Sequence, residues 1–447
     1  MAYIPNTDAE RDEMLRKIGV GNFEELINTI PEAVRLKKPL DLPERVSEFE
    51  IIKILEDYAS QNITANTHTC FMGGGAYDHF TPTIVQSVLE RPEFKTAYTP
   101  YQAEVSQGTL QAMYEFQSMI CALTGMEVAN ASLYDGGSAV AEACLMAHNQ
   151  NKKTKILLAG KLNPFYRQVV DTICTAKDLE FDEIVGEDGT CDLDALRNAV
   201  GDDTCAVVVQ HPNAYGNLED VHEIEKIVHS QKNAFYIASV DPISLGMLTP
   251  PGEYNADIVV GEGQPLGIPM NFGGPYLGLF ACKQKYVRKI PGRLSGITQD
   301  ADGKRGFVLT LQTREQQIKR ERATSNICTN QGLIMLAATV YMAAMGKEGI
   351  REVAEQSFNR AHYLAEKISE IPGFKIAIDK PFFCEFLVET PVPAKEIIEK
   401  LSQKGILAGI DTSRFEDCKK GLLVAATEKR TREEMDRFAE ELKQFSK

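Results

Sequence analysis

Phe235-Tyr236-Ile237-Ala238-Ser239-Val240, Asp257-Ile258-Val259-Val260 and Leu277-Gly278-Leu279-Phe280-Ala281-Cys282 follow one another within fifty residues, and these three runs decide the fold. Each is short and almost wholly apolar, without the in-out alternation of a strand that has one wet face. Such runs suit strands covered on both sides. Lys155–Ala159 and Ala206–Gln210 belong to the same set. Between them Val221, Ile224, Ile227 and Val228 mark one face of an amphipathic helix. Upstream, a helix over Leu110–Leu123 leads to the turn Asp135-Gly136-Gly137-Ser138 and an Ala-rich helix. Helix and strand therefore alternate from about Ser106 to Lys283, the pattern of an α/β domain with a mainly parallel sheet.

On either side the pattern changes. Thr7 with Glu10, Asn22 with Glu25 and Ser47 with Glu50 have capping-box spacing, and Val46, Phe49, Ile52 and Leu55 recur at three-residue steps. The start of the chain, 1–65, is thus expected to be a helical arm, and 66–345 the large α/β domain. After the apolar run Leu333–Met345, strands are expected at Phe374–Ile378, Cys384–Glu389 and Leu422–Ala426, with helices at Ala394–Lys404 and Thr431–Phe445. These form a smaller α+β domain, 346–447.

The 447 residues carry a net charge of −15, which disfavours sequence-independent nucleic-acid binding and anionic membrane surfaces. Leu333–Met345 is shorter than the ~18 apolar residues of a membrane span, and the polar N-terminus lacks the apolar core of a signal peptide. The ten cysteines are scattered, with no CxxC and no Cys/His cluster, so no zinc or iron–sulfur site is expected. Together these features lead us to expect a cytoplasmic protein without nucleic-acid or membrane partners and without bound metal.

A helical arm, a large α/β domain and a small α+β domain make the layout of fold-type I pyridoxal-phosphate (PLP) enzymes, the aspartate-aminotransferase-like transferases. In that fold a Gly-rich helix start such as Gly136-Gly137-Ser138 cradles a phosphate, although a Gly-Gly turn before a helix is also an ordinary turn. The chemistry further requires a Schiff-base lysine and an aspartate under the pyridine nitrogen. Yet no lysine lies between Lys232 and Lys283, and the loop after Asp257–Val260 reads Gly263-Gln264-Pro265-Leu266-Gly267-Ile268-Pro269. An amide cannot form an imine.

Longer stretches carry a resemblance. Thr96-Ala97-Tyr98-Thr99-Pro100-Tyr101-Gln102-Ala103-Glu104-Val105-Ser106-Gln107-Gly108 resembles the glycine cleavage system P-protein family. So do Asn130-Ala131-Ser132-Leu133-Tyr134-Asp135, Pro291-Gly292-Arg293-Leu294-Ser295-Gly296, Leu311-Gln312-Thr313-Arg314-Glu315-Gln316 and Arg322-Ala323-Thr324-Ser325-Asn326-Ile327-Cys328-Thr329. The length fits the alpha half of the split bacterial form. That resemblance implies a subunit without PLP of its own, paired with a beta subunit that carries it in an alpha2-beta2 heterotetramer. The complex would decarboxylate glycine and pass the aminomethyl group to the lipoyl arm of the H-protein.

Set against the family pattern, Gln264 stands at the lysine position and Ala238 near the pyridine-binding aspartate, with Asp241 close by. Gly137, Ser138, His211, Ala238 and Gln264 would then outline a degenerate site, His211 being either a former ring-stacking residue or a structural one. Gly73-Gly74-Gly75 before Tyr77 and His79 resembles the family's N-terminal active-site loop, or is a flexible turn. Tyr98, Tyr101, Thr324, Ser325 and Asn326 are implied to reach the beta-subunit cofactor across the interface. Lys283, Lys285, Arg288, Lys289 and Arg293 offer a basic run for an acidic H-protein, or a solvated face. Two rival readings stay open: a purely structural or regulatory pseudo-subunit, and a self-sufficient fold-type I decarboxylase or aminotransferase.

Overall fold

The computed structural model describes residues 5–38, 40–312 and 316–446, and the chain divides into two compact units, Met1–Ile63 and Thr64–Lys447. Thr313, Arg314 and Glu315 of the matching stretch lie outside the described residues.

The first unit is helical. Asp8–Ile18 begins at a capping box, Thr7 with Glu10, and stops at Gly19 in the left-handed conformation. Glu48–Ser60 starts at a second capping box, Ser47 with Glu50. The stripe Val46, Phe49, Ile52 and Leu55 is exposed, Phe49 by 79%. Among the described residues of this unit only Leu15 is buried.

The second unit is built on a seven-stranded sheet. Its strands are β1 (Val128–Ala129), β2 (Lys155–Ala159), β3 (Glu180–Ile184), β4 (Thr204–His211), β5 (Phe235–Val240), β6 (Ile258–Glu262) and β7 (Gly278–Cys282). They lie in the order β3-β2-β4-β5-β6-β7-β1. The pairs from β3 to β6 are parallel, and β7 runs antiparallel to both β6 and β1. Both faces are covered, which is why the strands read as continuous apolar runs. On one face Leu110, Met113, Phe116 and Ile120, from the helix Gln107–Thr124, pack with Val207, Val209 and Tyr236. On the other, Ala139, Val140 and Ala143 of α1 (Gly136–Asn151) pack with Ile156, Val208, Ile237 and Val260. Each fully buried Val, Leu, Ile, Phe or Met among them stabilises the fold by roughly 1.5–3 kcal/mol.

The expected strands are present, with ends shifted by one or two residues. β3 was not expected: it is the polar edge strand Glu-Phe-Asp-Glu-Ile, whose charges blunt an open edge. The antiparallel hairpin Leu294–Gln299 with Arg305–Thr310 was not expected either.

The run Leu333–Met345 lies inside a longer helix, Gly332–Ser369, with non-helical backbone at Gly346. By length and composition this helix could cross a membrane, a correction to the expectation from the run alone. Here Met335, Ala337, Ala338, Tyr341 and Met342 are buried in the same core as the sheet. Beyond Gly346 a four-stranded antiparallel sheet forms, in the order Lys375–Ile376, Glu385–Glu389, Leu422–Ala425, Ile410–Asp411. Helices Ala394–Ser402 and Arg432–Leu442 share its core through Ile397, Leu401, Met435 and Phe438.

Candidate functional site

The carboxyl ends of β4, β5 and β6 meet the start of α1 and the strand Glu385–Glu389 of the small sheet, the crevice in which open α/β sheets bind ligands. Here the crevice is nearly closed. The cavity holds about 30 Å3, room for water only, and its lining includes Tyr77, Tyr166, Asp241, Glu262 and Glu385 but no lysine.

Glu262, the last residue of β6, closes one side. Its Oε2 accepts from the Gly136 N–H (2.9 Å), and its Oε1 accepts from Leu277 N–H (2.9 Å) and Gln264 N–H (3.0 Å). Burial pushes its carboxyl up to about 8, against the pull of these donors. At the same helix start, Ser138 gives its N–H to Asp135 Oδ1 (2.8 Å) and its hydroxyl to Asp135 Oδ2 (3.1 Å). Two N–H groups of the Gly-rich turn, those of Gly136 and Ser138, thus meet carboxyl groups of this chain. Tyr166 stands over it: a Cβ built on Gly136 would lie 2.7 Å from the Tyr166 hydroxyl.

Gln264 closes the other side. Its Oε1 accepts from Tyr77 N–H (2.8 Å), while its Nε2 donates to the carbonyls of Tyr77 (3.0 Å) and Ile268 (2.7 Å). Glu385 holds the same loop, accepting from Gly74 N–H (2.6 Å) and the Tyr77 hydroxyl (3.0 Å). Burial raises the Glu385 carboxyl to about 7. Asn163 completes the lacing, donating through Nδ2 to the Gly74 carbonyl (2.7 Å) and through its N–H to Gln210 Oε1 (2.7 Å). The three-glycine loop is a fastened strap.

The other residues of the expected degenerate site divide. His211 is buried beside the cavity, and its Nδ1 accepts from Glu219 N–H (3.1 Å). Burial lowers its pKa to about 4, so it is neutral and structurally engaged. Ala238 does not reach the cavity. It sits within β5, paired with Val209 and Val259 in the core, and Asp241 three residues on lines the cavity instead. Asp241, noted in the sequence as lying close to Ala238, has its Oδ1 taken by Ile243 N–H (2.9 Å) and its Oδ2 without a partner. His79 lies on the Glu428 carboxylate (2.6 Å); burial opposes its charge, but that carboxylate holds its pKa above the usual value.

A second group of expected residues lies elsewhere. Tyr98 and Tyr101 are 88% and 75% exposed on the loop after Pro92–Lys95, with ring centroids 6.5 Å apart. Thr324, Ser325 and Asn326 line an open depression of about 450 Å3 with Gln316, Arg320 and Cys328. Buried Arg293 ties the two segments together: its Nη1 donates to Thr99 Oγ1 (3.4 Å), Thr329 Oγ1 (2.7 Å) and Asn330 Oδ1 (3.3 Å). That placement removes Arg293 from the proposed basic run. Lys283 is also drawn in, onto Asp257 at 2.9 Å, while Lys285 approaches the same carboxylate at 3.6 Å but stays exposed, as do Arg288 and Lys289.

The sheet order and the second, antiparallel sheet define the class: this is a fold-type I PLP-enzyme fold. Glutamate decarboxylase from Lactobacillus brevis superimposes with a TM-score of 0.69 at 13% identity, covering 95% of this chain and 96% of its own. Sphingosine-1-phosphate lyase from Burkholderia pseudomallei gives 0.67 at 13%, covering 93% and 94%. At such identity the likeness is one of fold. The family model of the glycine cleavage system P-protein matches residues 1–442, and the chain belongs to that family. It is 54% identical over 445 residues, all of both chains, to the probable glycine dehydrogenase (decarboxylating) subunit 1 of Chloroherpeton thalassium. With the protein of the same name from Chlorobaculum parvum it shares 56% over 444 residues, 99% of each. The crystal structure of a glycine decarboxylase (P-protein) of the glycine cleavage system in inhibitor-bound form matches with a TM-score of 0.92 at 42% identity, covering all of both chains.

The residues around the cavity do not fit PLP. The volume is too small for the ring, no lysine faces it, and donors that would meet a phosphate already meet Glu262 and Asp135.

Proposed function

We propose that this chain is the non-PLP-binding alpha subunit of a split glycine cleavage P-protein. With a beta subunit that holds PLP, it decarboxylates glycine and transfers the aminomethyl group to the lipoyl arm of the H-protein. The observation that carries this reading is the full-length match to proteins named as subunit 1 of the decarboxylating glycine dehydrogenase. The closed cavity supports placing the cofactor on the partner. In this reading Tyr98, Tyr101 and Thr324–Asn326, held on one guanidinium, face the beta-subunit site. The exposed apolar stripe of Glu48–Ser60 is beta-subunit-covered surface, since contiguous exposed apolar patches mark interaction sites. We place the complex, an alpha2-beta2 heterotetramer, in the cytoplasm, in keeping with the scattered free thiols.

Coexpression with the cognate beta chain tests the reading. The two chains are expected to copurify and to release CO2 from carboxyl-labelled glycine in the presence of lipoylated H-protein. Either chain alone is expected to be inactive. Full glycine decarboxylation by the beta chain alone would favour a purely structural or regulatory role for this one.

A further inference from the structure

We infer that this chain excludes a phosphorylated cofactor actively, with Glu262 occupying the anion position of the cradle and Tyr166 roofing it. The missing lysine is then a secondary loss. The inference deepens the proposed function and rests on it only for the assignment of the cofactor to the partner.

Three observations carry it. First, Glu262 is not a local cap: it comes from the end of β6, 126 positions after Gly136, and bridges the α1 start to the loop before β7. A buried carboxyl costs several kcal/mol to desolvate unless donors surround it, and here three backbone N–H groups do. The exposed donors of a helix start are what makes such a turn attract phosphate, so a carboxyl bonded there competes with any incoming anion for the same N–H group.

Second, Tyr166 fills the space where a bound anion would continue toward solvent. It comes within 3.2 Å of a Cβ built on Gly75 as well as within 2.7 Å of one built on Gly136, so its hydroxyl spans the gap between strap and helix. Third, the cavity itself, about 30 Å3, is an order of magnitude below the ~300 Å3 of the smallest ordinary ligand pockets. Asp241 lines that cavity, so the site does not lack a carboxyl group beside the space. It lacks an open phosphate position.

The test uses the full chain, its Glu262→Ala variant, and Glu262→Ser, which keeps one acceptor for the freed N–H groups and is the fallback if alanine prevents folding. The probes are inorganic phosphate and PLP itself. Phosphate binding is read by equilibrium dialysis and by the shift in thermal midpoint against chloride at equal ionic strength. The wild-type chain is expected to show no phosphate-specific shift and to retain no PLP. Either folded variant is expected to bind phosphate at least about tenfold more tightly than wild type. Stoichiometric phosphate or PLP binding by the wild-type chain would overturn the inference, and so would folded variants that gain no affinity. The wild-type arm decides even if both variants are insoluble. Because the readout is binding to one chain, a failed glycine-cleavage assay and a failed plug give different results.

Discussion

Two regions of the large unit are rich in polar and aromatic side chains and treat them in opposite ways. At the crevice, Glu262, Gln264, Glu385 and Tyr77 bond to one another and to the neighbouring backbone, and leave space only for water. On the surface, Tyr98, Tyr101 and Thr324–Asn326 stand on segments anchored from beneath by Arg293 but are open outward. The difference teaches what burial demands of polar groups. In the interior, buried donors and acceptors must pair, and the crevice side chains do so with the surrounding loops. At the surface, water serves as partner, so Tyr98 and Tyr101 stay exposed.

The sharpest way to break this comparison is Gln264→Leu. It strands Tyr77 N–H and two carbonyls, and is expected to destabilise the chain by about 3 kcal/mol or more, measured as a fall in urea midpoint. A neutral result would mean that the strap is not held from this side. Next is Tyr98→Phe or Tyr101→Phe in the assembled complex. If either hydroxyl bonds the partner's cofactor phosphate, PLP retention is expected to weaken by about 1.5–3 kcal/mol, roughly 10- to 150-fold. Unchanged PLP affinity in both variants would leave the loop a packing role only.

pH gives a third probe. The folded-state values of Glu262, about 8, and Glu385, about 7, lie above the ordinary glutamate value. Their contribution to stability is thus complete below about pH 4.5 and is lost as pH rises through 7 to 8. The urea midpoint is therefore expected to fall between about pH 4.5 and 8, and Glu385→Gln to flatten that fall. The smallest effect belongs to the surface: Tyr98→Ala is expected to change the chain's own stability by less than about 0.5 kcal/mol.

Legibility in the sequence followed burial. Runs such as Lys155–Ala159 and Phe235–Val240 announce themselves because both faces are dry. The edge strand Glu180–Ile184 does not, since its charges disguise it as loop. Of the site, the lysine-free loop around Gln264 was legible in the sequence. That Ala238 is inside β5, whereas Asp241, just past the strand's end, lines the crevice, was not, because it depends on where the strand stops. Glu262, Glu385 and Tyr166 were missed, because their partners lie far away in sequence. One signal was available. A glutamate closing the apolar run Ile258-Val259-Val260-Gly261-Glu262 is a charge where the pattern forbids one, and such a charge needs donors from elsewhere in the chain.

The two-way bond between Gln264 and Tyr77 also has an evolutionary consequence. Because that amide serves three backbone groups, a change to lysine by mutation of its codon meets selection first as a folding defect, whatever chemistry the amine could add. The position is thus guarded by the fold itself, independently of any reaction.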